Sequence, residues 1–402
     1  MGESYGPYQS NLTTKYFSKL CHIIFFWGLP NFWIEDLKLS RTLIISYTYF
    51  TRFVTALLYI FLILEYGAFF TQPSLSEKQS TDRLLFTFSH PLLFSYTFFM
   101  NRNMHKIKDL LYSLTVTLKT EYNYHNIEIS MIRKGKLYCV GCIGICSMAM
   151  VMYGIDGATQ YLNTGASFTT VITAWPDVND TRQNAHMFRV VTYVIWWVFM
   201  FRVFSAYLLI IPINVCLSHQ YIQLRTYFHS LAAIFEDNKL SPDKMDEKYE
   251  EGFVIGIGQH AMTIRCARHN QDVCSAIFVG QIMVNVQVLV LLMSQLVASE
   301  RSLGTLFVAA TTSVSLLFST GFFMWNAGDV TVEASKLATA MYSSGWENCT
   351  RRCAVRVRKL LVLAMMQAQK PVIIRGMGVI EISYQSYLSI VKSSYSVFSV
   401  LY

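Results

Sequence analysis

Charge is what this sequence has least of. Asp, Glu, Lys and Arg make up 14% of its 402 residues, where a soluble domain carries about 25%, and 53% of the chain is hydrophobic and 15% aromatic. That balance excludes an ordinary water-soluble fold. A cleavable leader is missing too: the first twenty residues are polar and hold no continuous apolar core, so the first apolar span is expected to act as its own insertion signal. The opening Met1-Gly2-Glu3-Ser4-Tyr5-Gly6 has glycine where a myristoylation signal needs Ser or Thr. There is no phosphate-cradling glycine loop, no zinc-protease helix and no Gly-x-Ser-x-Gly elbow, which leaves binding and conduction as the chemistry to look for, with no enzyme and no cofactor expected. Nine cysteines are an odd number, and none falls in an expected outer loop, so no extracellular disulfide framework is predicted. Cys139, Cys142 and Cys146 sit within one apolar run without a completing ligand and read as helix-packing residues; Cys349 and Cys353, beside a run of arginines, have an equally weak claim to a metal.

Seven apolar segments remain, at about Thr42–Phe70, Leu84–Met100, Leu137–Met152, Met187–Leu217, Cys274–Ala298, Thr305–Trp325 and Val379–Tyr402. The predicted fold is therefore an all-α membrane protein with seven transmembrane helices. Placing the N-terminus in the cytoplasm puts 25 of the 33 Lys and Arg in inner segments and leaves Lys78, Arg83, Arg182 and Arg301 in outer loops, which fixes the N-terminus inside and the C-terminus outside. The net charge of +8 is then membrane topology, and no nucleic-acid partner is predicted. Of the glycosylation sequons at Asn11, Asn179 and Asn348, only Asn179 lies in an outer loop.

Four stretches organise the chain: a cytoplasmic segment 1–41, spans one to six within 42–325, a cytoplasmic helical region 326–378, and a last span 379–402. Ile107, Leu110, Leu111 and Leu114 predict an amphipathic cytoplasmic extension of span two. Arg351, Arg352, Arg356, Arg358 and Lys359 lead into an apolar run too short to span, suited to lipid headgroups or another subunit. Pro371 ends it, and Gly376 and Gly378 are expected to act as flexible joints. No internal repeat is evident, which weighs against transporters built from duplicated halves.

The outer halves of spans two, three, four and six are rich in aromatic and methionine side chains: Phe86, Phe88 and His90; Met148, Met152 and Tyr153; Tyr193, Trp196 and Trp197; Phe307, with Thr311 and Thr312. A cavity among them would take a small neutral organic molecule; the same residues also suit a plain membrane core or a lipid-facing surface. His90-Pro91 kinks span two and shapes a pocket wall or holds a structural histidine. Arg52, Arg202 and Lys392 lie inside spans, where ionisable groups face the protein interior or an aqueous path. In the last span Ser386, Ser389, Ser393, Ser396 and Val400 advance by three, four, three and four residues and so share one helix face. Such a stripe suits a water-filled path ending in a hydrophobic constriction, or close helix packing. The sequence stops at Tyr402, which favours the path over signalling through a tail.

Gln369-Lys370-Pro371, Gly376, Ser383 and the run Ser394-Tyr395-Ser396-Val397-Phe398 resemble the closing signature of insect odorant receptors. The resemblance is specific there and diffuse elsewhere, and it implies an odorant-gated cation channel of four subunits, with the last span of each lining the pore and Val400 at the constriction. It also implies an odorant site among spans two, three, four and six, a cytoplasmic anchor for subunit contacts, and residence in the plasma membrane of olfactory neuron dendrites. A short loop between spans four and five makes the chain similar to the ligand-tuned subunits that partner the shared co-receptor. The terminal Gln-Phe pair of gustatory relatives is absent. A G-protein-coupled receptor predicts the opposite topology, and neither Asp-Arg-Tyr after span three nor Asn-Pro-x-x-Tyr in the last span is present.

Overall fold

The computed structural model describes residues 5–37, 39–165, 167–236, 240–298 and 303–401. Its elements run α1 (Leu12–Phe26), α2 (Arg41–Thr71), α3 (Glu77–Arg102), α4 (Met104–Thr115), α5 (His125–Thr164), α6 (Gln183–Ser230), α7 (Pro242–Ala298), α8 (Leu303–Ser335), α9 (Leu337–Tyr342), α10 (Arg351–Ala368), a two-stranded hairpin β1–β2 (Arg375–Gly376, Ile380–Glu381) and α11 (Tyr384–Leu401). The chain is an all-α membrane protein. Among the described residues α2, α5, α6, α7 and α8 are long and apolar enough to cross a bilayer. The other two expected spans are α3 and α11. At 26 and 18 residues they reach about 39 and 27 Å at 1.5 Å per residue, against a hydrocarbon core of about 30 Å.

The helices of spans two and three are longer than their apolar runs, Leu84–Met100 and Leu137–Met152, because hydropathy fades where helices continue past the membrane. α3 begins seven residues before its apolar run on a reciprocal Ser76–Gln79 capping box, and α5 covers 40 residues. The segment expected to extend span two is a separate helix: Asn103 interrupts it, and α4 then buries Ile107, Leu110, Leu111 and Leu114 completely. Between them, α4, α9, α10 and the inner ends of α5 to α8 make a second packing region beneath the spans. Thr13 donates through both its N–H and its hydroxyl to buried Glu128 at 2.7 Å, tying α1 to α5. Arg225 meets Glu333 at 3.0 Å. Arg356 holds Glu250 through two hydrogen bonds and keeps its carboxyl below the usual range.

The sequon asparagines and the glycines before the last span have distinct local roles. Asn11 caps α1, accepting from Thr14 N–H and donating to Thr115 C=O, while Asn179 is exposed in the loop after α5. Gly376 and Gly378 are not loose joints. Met377 (φ +48°) and Gly378 (φ +73°), both in the left-handed region, are the central residues of a turn closed by Val379 N–H to Gly376 C=O, within the three-residue loop that joins Gly376 to Ile380. The hairpin is pinned to α7 by Met377 N–H to Ser275 Oγ and Arg375 N–H to Gln271 Oε1.

Candidate odorant-binding site

In the outer half of the bundle α3, α5, α6, α7 and α8 enclose a cavity of about 80 Å³, room for roughly six water-sized positions at 10–15 Å³ each. Phe86 is its hinge. Its ring lies 5.1 Å from His90, 5.3 Å from Tyr153 and 5.2 Å from Trp196, centre to centre, so three helices meet in one aromatic box. Thr312 on α8 closes the side, its hydroxyl donating back to Val308 C=O at 2.7 Å.

The polar anchor of this box is a buried triad. Trp196 Nε1–H donates to His90 Nε2 at 3.0 Å, and His90 Nδ1 meets Glu65 Oε1 at 2.7 Å. Indole only donates, so Nε2 must accept, and the ring proton sits on Nδ1, directed at the carboxylate. Glu65 and His90 are 1% and 2% exposed, and the other carboxylate oxygen, Oε2, has no partner. A carboxyl group this deep is stable only because the imidazole reaches it. The triad fixes α2, α3 and α6 to one another and holds Trp196 against the cavity. Pro91, next in sequence, frees a backbone carbonyl one turn above.

Of the buried polar atoms without a hydrogen-bond partner, Tyr153 Oη is the one that belongs to the cavity wall. Asp82 and Thr312 are its polar neighbours. Asp82 already accepts from Gln295 at 2.8 Å. Beyond it, Lys78 pairs with Asp156, giving the outer rim a mixed-charge cluster. On the inner side Tyr207 lines the cavity and donates to Gln281 Oε1 at 2.9 Å. Gln281 also receives Tyr96 and donates to Ser319 and Thr320, and Thr320 in turn accepts from Asn285. Side-chain hydrogen bonds thus join α3, α6, α7 and α8 just below the box.

Phe86, His90, Tyr153, Trp196 and Thr312 therefore come together on one cavity. Met152, Tyr193 and Trp197 pack behind it, Tyr193 donating to Met150 C=O, and Thr311 bonds back to its own helix. Phe88, Met148 and Phe307 are corrections: they are 48%, 59% and 59% exposed and point out of the bundle. Phe88 and Met148 each lie two positions from cavity residues, so a helix turns them to the opposite face. Sequence reasoning missed Glu65, although a lone acid in a 31-residue apolar helix is itself the signal. It also missed α7, whose Val284 and Val288 line the cavity one turn apart.

On α11 the faces divide cleanly. Tyr387 donates to Leu317 C=O, Tyr384 to Asp329, and Ser394 is buried. Ser389, Ser393 and Ser396 are exposed and Ser386 is half-buried. Lys392 is exposed beside them. Val400 belongs to α11, but its side chain lies outside the described residues. In the inner region Asp246, Cys349 and Cys353 bring ligand-type atoms within 4.8 Å of one another. The Asp246 carboxylate is engaged there in receiving Thr350 N–H and Oγ1–H at the start of α10, which is the work of a helix cap.

Residues 79–395 match the family model of the 7tm Odorant receptor. The chain belongs to that family. This odorant receptor is similar to Odorant receptor 67c of Drosophila melanogaster, 21% identical over 295 residues that make up 71% of this chain and 69% of the relative. Its fold is that of the insect olfactory receptor OR5 from Machilis hrabei, with a TM-score of 0.77 at 15% identity over 96% of this chain and 97% of that one. The same receptor in complex with eugenol superposes with a TM-score of 0.78 over the same shares, also at 15% identity.

Proposed function

We propose that this odorant receptor is the ligand-tuned subunit of a heteromeric, non-selective cation channel, partnered by odorant receptor co-receptor subunits in a heterotetramer at the plasma membrane of olfactory neuron dendrites. A small neutral volatile enters the box formed by Phe86, His90, Tyr153 and Trp196, and α11 lines the pore through Ser386, Ser389, Ser393, Ser396 and Val400. The observation that carries the reading is the division of α11. One face is fastened to α7 and α8, and on the other Ser389, Ser393 and Ser396 are exposed, the hydroxyl bonds of Ser389 and Ser396 running back to their own helix. A spanning helix that leaves hydroxyls unburied calls for water or another subunit along that side. Val355, Val362, Leu363 and Met366 on α10 are more than half exposed, which supports the cytoplasmic region 326–378 as the anchor where subunits meet.

The ligand is expected to be neutral and to carry one hydrogen-bond acceptor. Tyr153 supplies a hydroxyl in the cavity wall beside Thr312 and Asp82, the His90 lone pair is already held by Trp196, and nearby Asp82 repels an anion. An ester, ketone, aldehyde or ether meets those demands, and eugenol in OR5 of Machilis hrabei is an aromatic molecule of comparable chemistry. Binding opens the pore only as far as the ligand prefers the open arrangement.

Whole-cell current from cells expressing this chain with and without an insect odorant co-receptor, with G-protein signalling blocked, tests the reading. Fast cation current to neutral volatiles that requires the co-receptor and survives the block is expected; responses abolished by the block would refute it. Orientation is tested separately, with a glycan at Asn179 expected and one at Asn11 refuting a cytoplasmic N-terminus. In the co-expressed channel, Val400→Ser is expected to raise basal leak.

A further inference from the structure

A second cavity lies between the N-terminal segment, α2, α3 and α6, lined by Tyr47, Thr51, Arg52, Thr55, Asn101 and Arg202 among others, with an open volume of about 620 Å³. It shares no residue with the odorant cavity. Two arginines line it and no carboxylate does.

Arg202 is the unusual member. It is 3% exposed, and among the described residues no acid pairs with it. Its guanidinium donates to Thr55 Oγ1 at 2.7 Å and to Thr51 C=O at 3.2 Å. It leaves Nε, buried, with no partner. Gly28, at φ +90°, keeps the neighbouring backbone clear, since a Cβ there would stand 2.9 Å from Arg202 Nη2. The cleft is therefore a space kept open around a buried cation that hydroxyls and a carbonyl solvate only in part.

Its level is given by the helices. Hydropathy alone set both arginines inside their spans, but each lies nineteen residues from the outer end of its own helix, about 28 Å at 1.5 Å per residue, which carries both toward the inner edge of a core about 30 Å thick because α2 and α6 continue past it. Asn101, one residue before the end of α3, marks the same edge. Phe94 and Phe98 continue the wall up along α3, which gives the cleft a polar inner end and an apolar outer one.

We propose that this cleft binds the phosphate of an anionic membrane phospholipid, with the headgroup between Arg52 and Arg202 and an acyl chain along Phe94 and Phe98. Two guanidinium groups without a counter-acid favour a headgroup of net negative charge over a zwitterionic one. Their position at the inner edge suits the leaflet where anionic lipids concentrate. The placement in that leaflet rests on the cytoplasmic N-terminus proposed above; the phosphate chemistry does not.

The test uses the purified full chain in neutral detergent, with melting followed as phosphatidylserine, phosphatidylcholine or inorganic phosphate is added. Phosphatidylserine is expected to raise the melting temperature by several degrees and phosphatidylcholine to leave it nearly unchanged. Arg52→Gln, at the exposed rim, should weaken the phosphatidylserine effect about tenfold in midpoint concentration, as loss of one charge-assisted contact does. It should leave the melting of the lipid-free protein unchanged, which guards against a folding defect. Arg202→Gln is the stronger but riskier change and serves as the second variant. An equal shift with inorganic phosphate, an equal shift with phosphatidylcholine, or an Arg52→Gln protein that responds like the parent would each overturn the proposal. None of these readings depends on odorant or current.

Discussion

At the scale of single residues, the aromatic cavity sets the Tyr153 hydroxyl against a histidine held by Trp196 and Glu65. Tyr153→Phe keeps the ring that packs on Phe86 and Trp196 and removes the phenol hydroxyl from the cavity wall. Potency for a carbonyl-bearing volatile should fall about tenfold, the value of one buried hydrogen bond, while a hydrocarbon of the same shape should lose nothing or gain slightly. Concentration–response curves for the two ligands on both proteins check this, and equal shifts for both would discard Tyr153 as the orienting group. Glu65 governs stability. Replacing it with Leu strands the neutral His90 Nδ1–H in the bundle and is expected to cost about 1–3 kcal/mol, whereas Glu65→Gln retains an acceptor and should cost less than about 1 kcal/mol. Melting of detergent-solubilised protein distinguishes the two.

At the scale of elements, the hairpin before α11 is the tightest piece of local chemistry. A Cβ at Gly378 meets nothing within 4 Å, so Gly378→Ala suffers only from its positive φ, about 1 kcal/mol. At Gly376 the same Cβ would come 2.8 Å from Val279 Cγ2 on α7. Gly376→Ala should therefore lift the hairpin from α7, and Val279→Ala should rescue it while leaving Gly378→Ala unimproved. Surface expression of the single and double variants measures both. The sequence placed these glycines correctly before the last span, yet their role was illegible, because a turn and a loose joint draw on the same residue types. Helix existence was legible throughout, since apolar runs of this length have few alternatives. Helix ends were not: in α3 and α5 they are set by capping and by packing beneath the membrane, to which hydropathy is blind. The cavity was legible as a region and only partly as residues, because composition names aromatic side chains without saying which face of a helix they occupy; Phe86 and Phe88 show the difference.

At the scale of the whole molecule, the cavity and α11 are joined through Gln281. It takes a hydrogen bond from the cavity residue Tyr207 and gives others to α8, and α7 and α8 are the helices against which α11 rests. Gln281→Leu keeps the bulk and removes the junction. Ligand affinity should persist while the current per bound ligand falls by a factor of about 3 to 30, the range of a coupling worth 0.5–2 kcal/mol. Binding measured by tryptophan quenching, set beside current in the co-expressed channel, separates the two quantities; parallel loss of both would return Gln281 to a purely structural role.

The Glu65–His90 pair also constrains how the chain is made. Twenty-five residues separate the two partners, and the acid emerges from the ribosome first, within the helix that has to commit itself to the bilayer. An acidic side chain six residues from the outer end of a lone helix still opposes translocon insertion, though by less than the roughly 3 kcal/mol of a central one, and no imidazole exists yet to relieve it. The acid is relieved only when the second helix arrives beside it, which favours entry of the two as a hairpin and sets the α2–α3 contact behind the cavity wall at the earliest step of biogenesis.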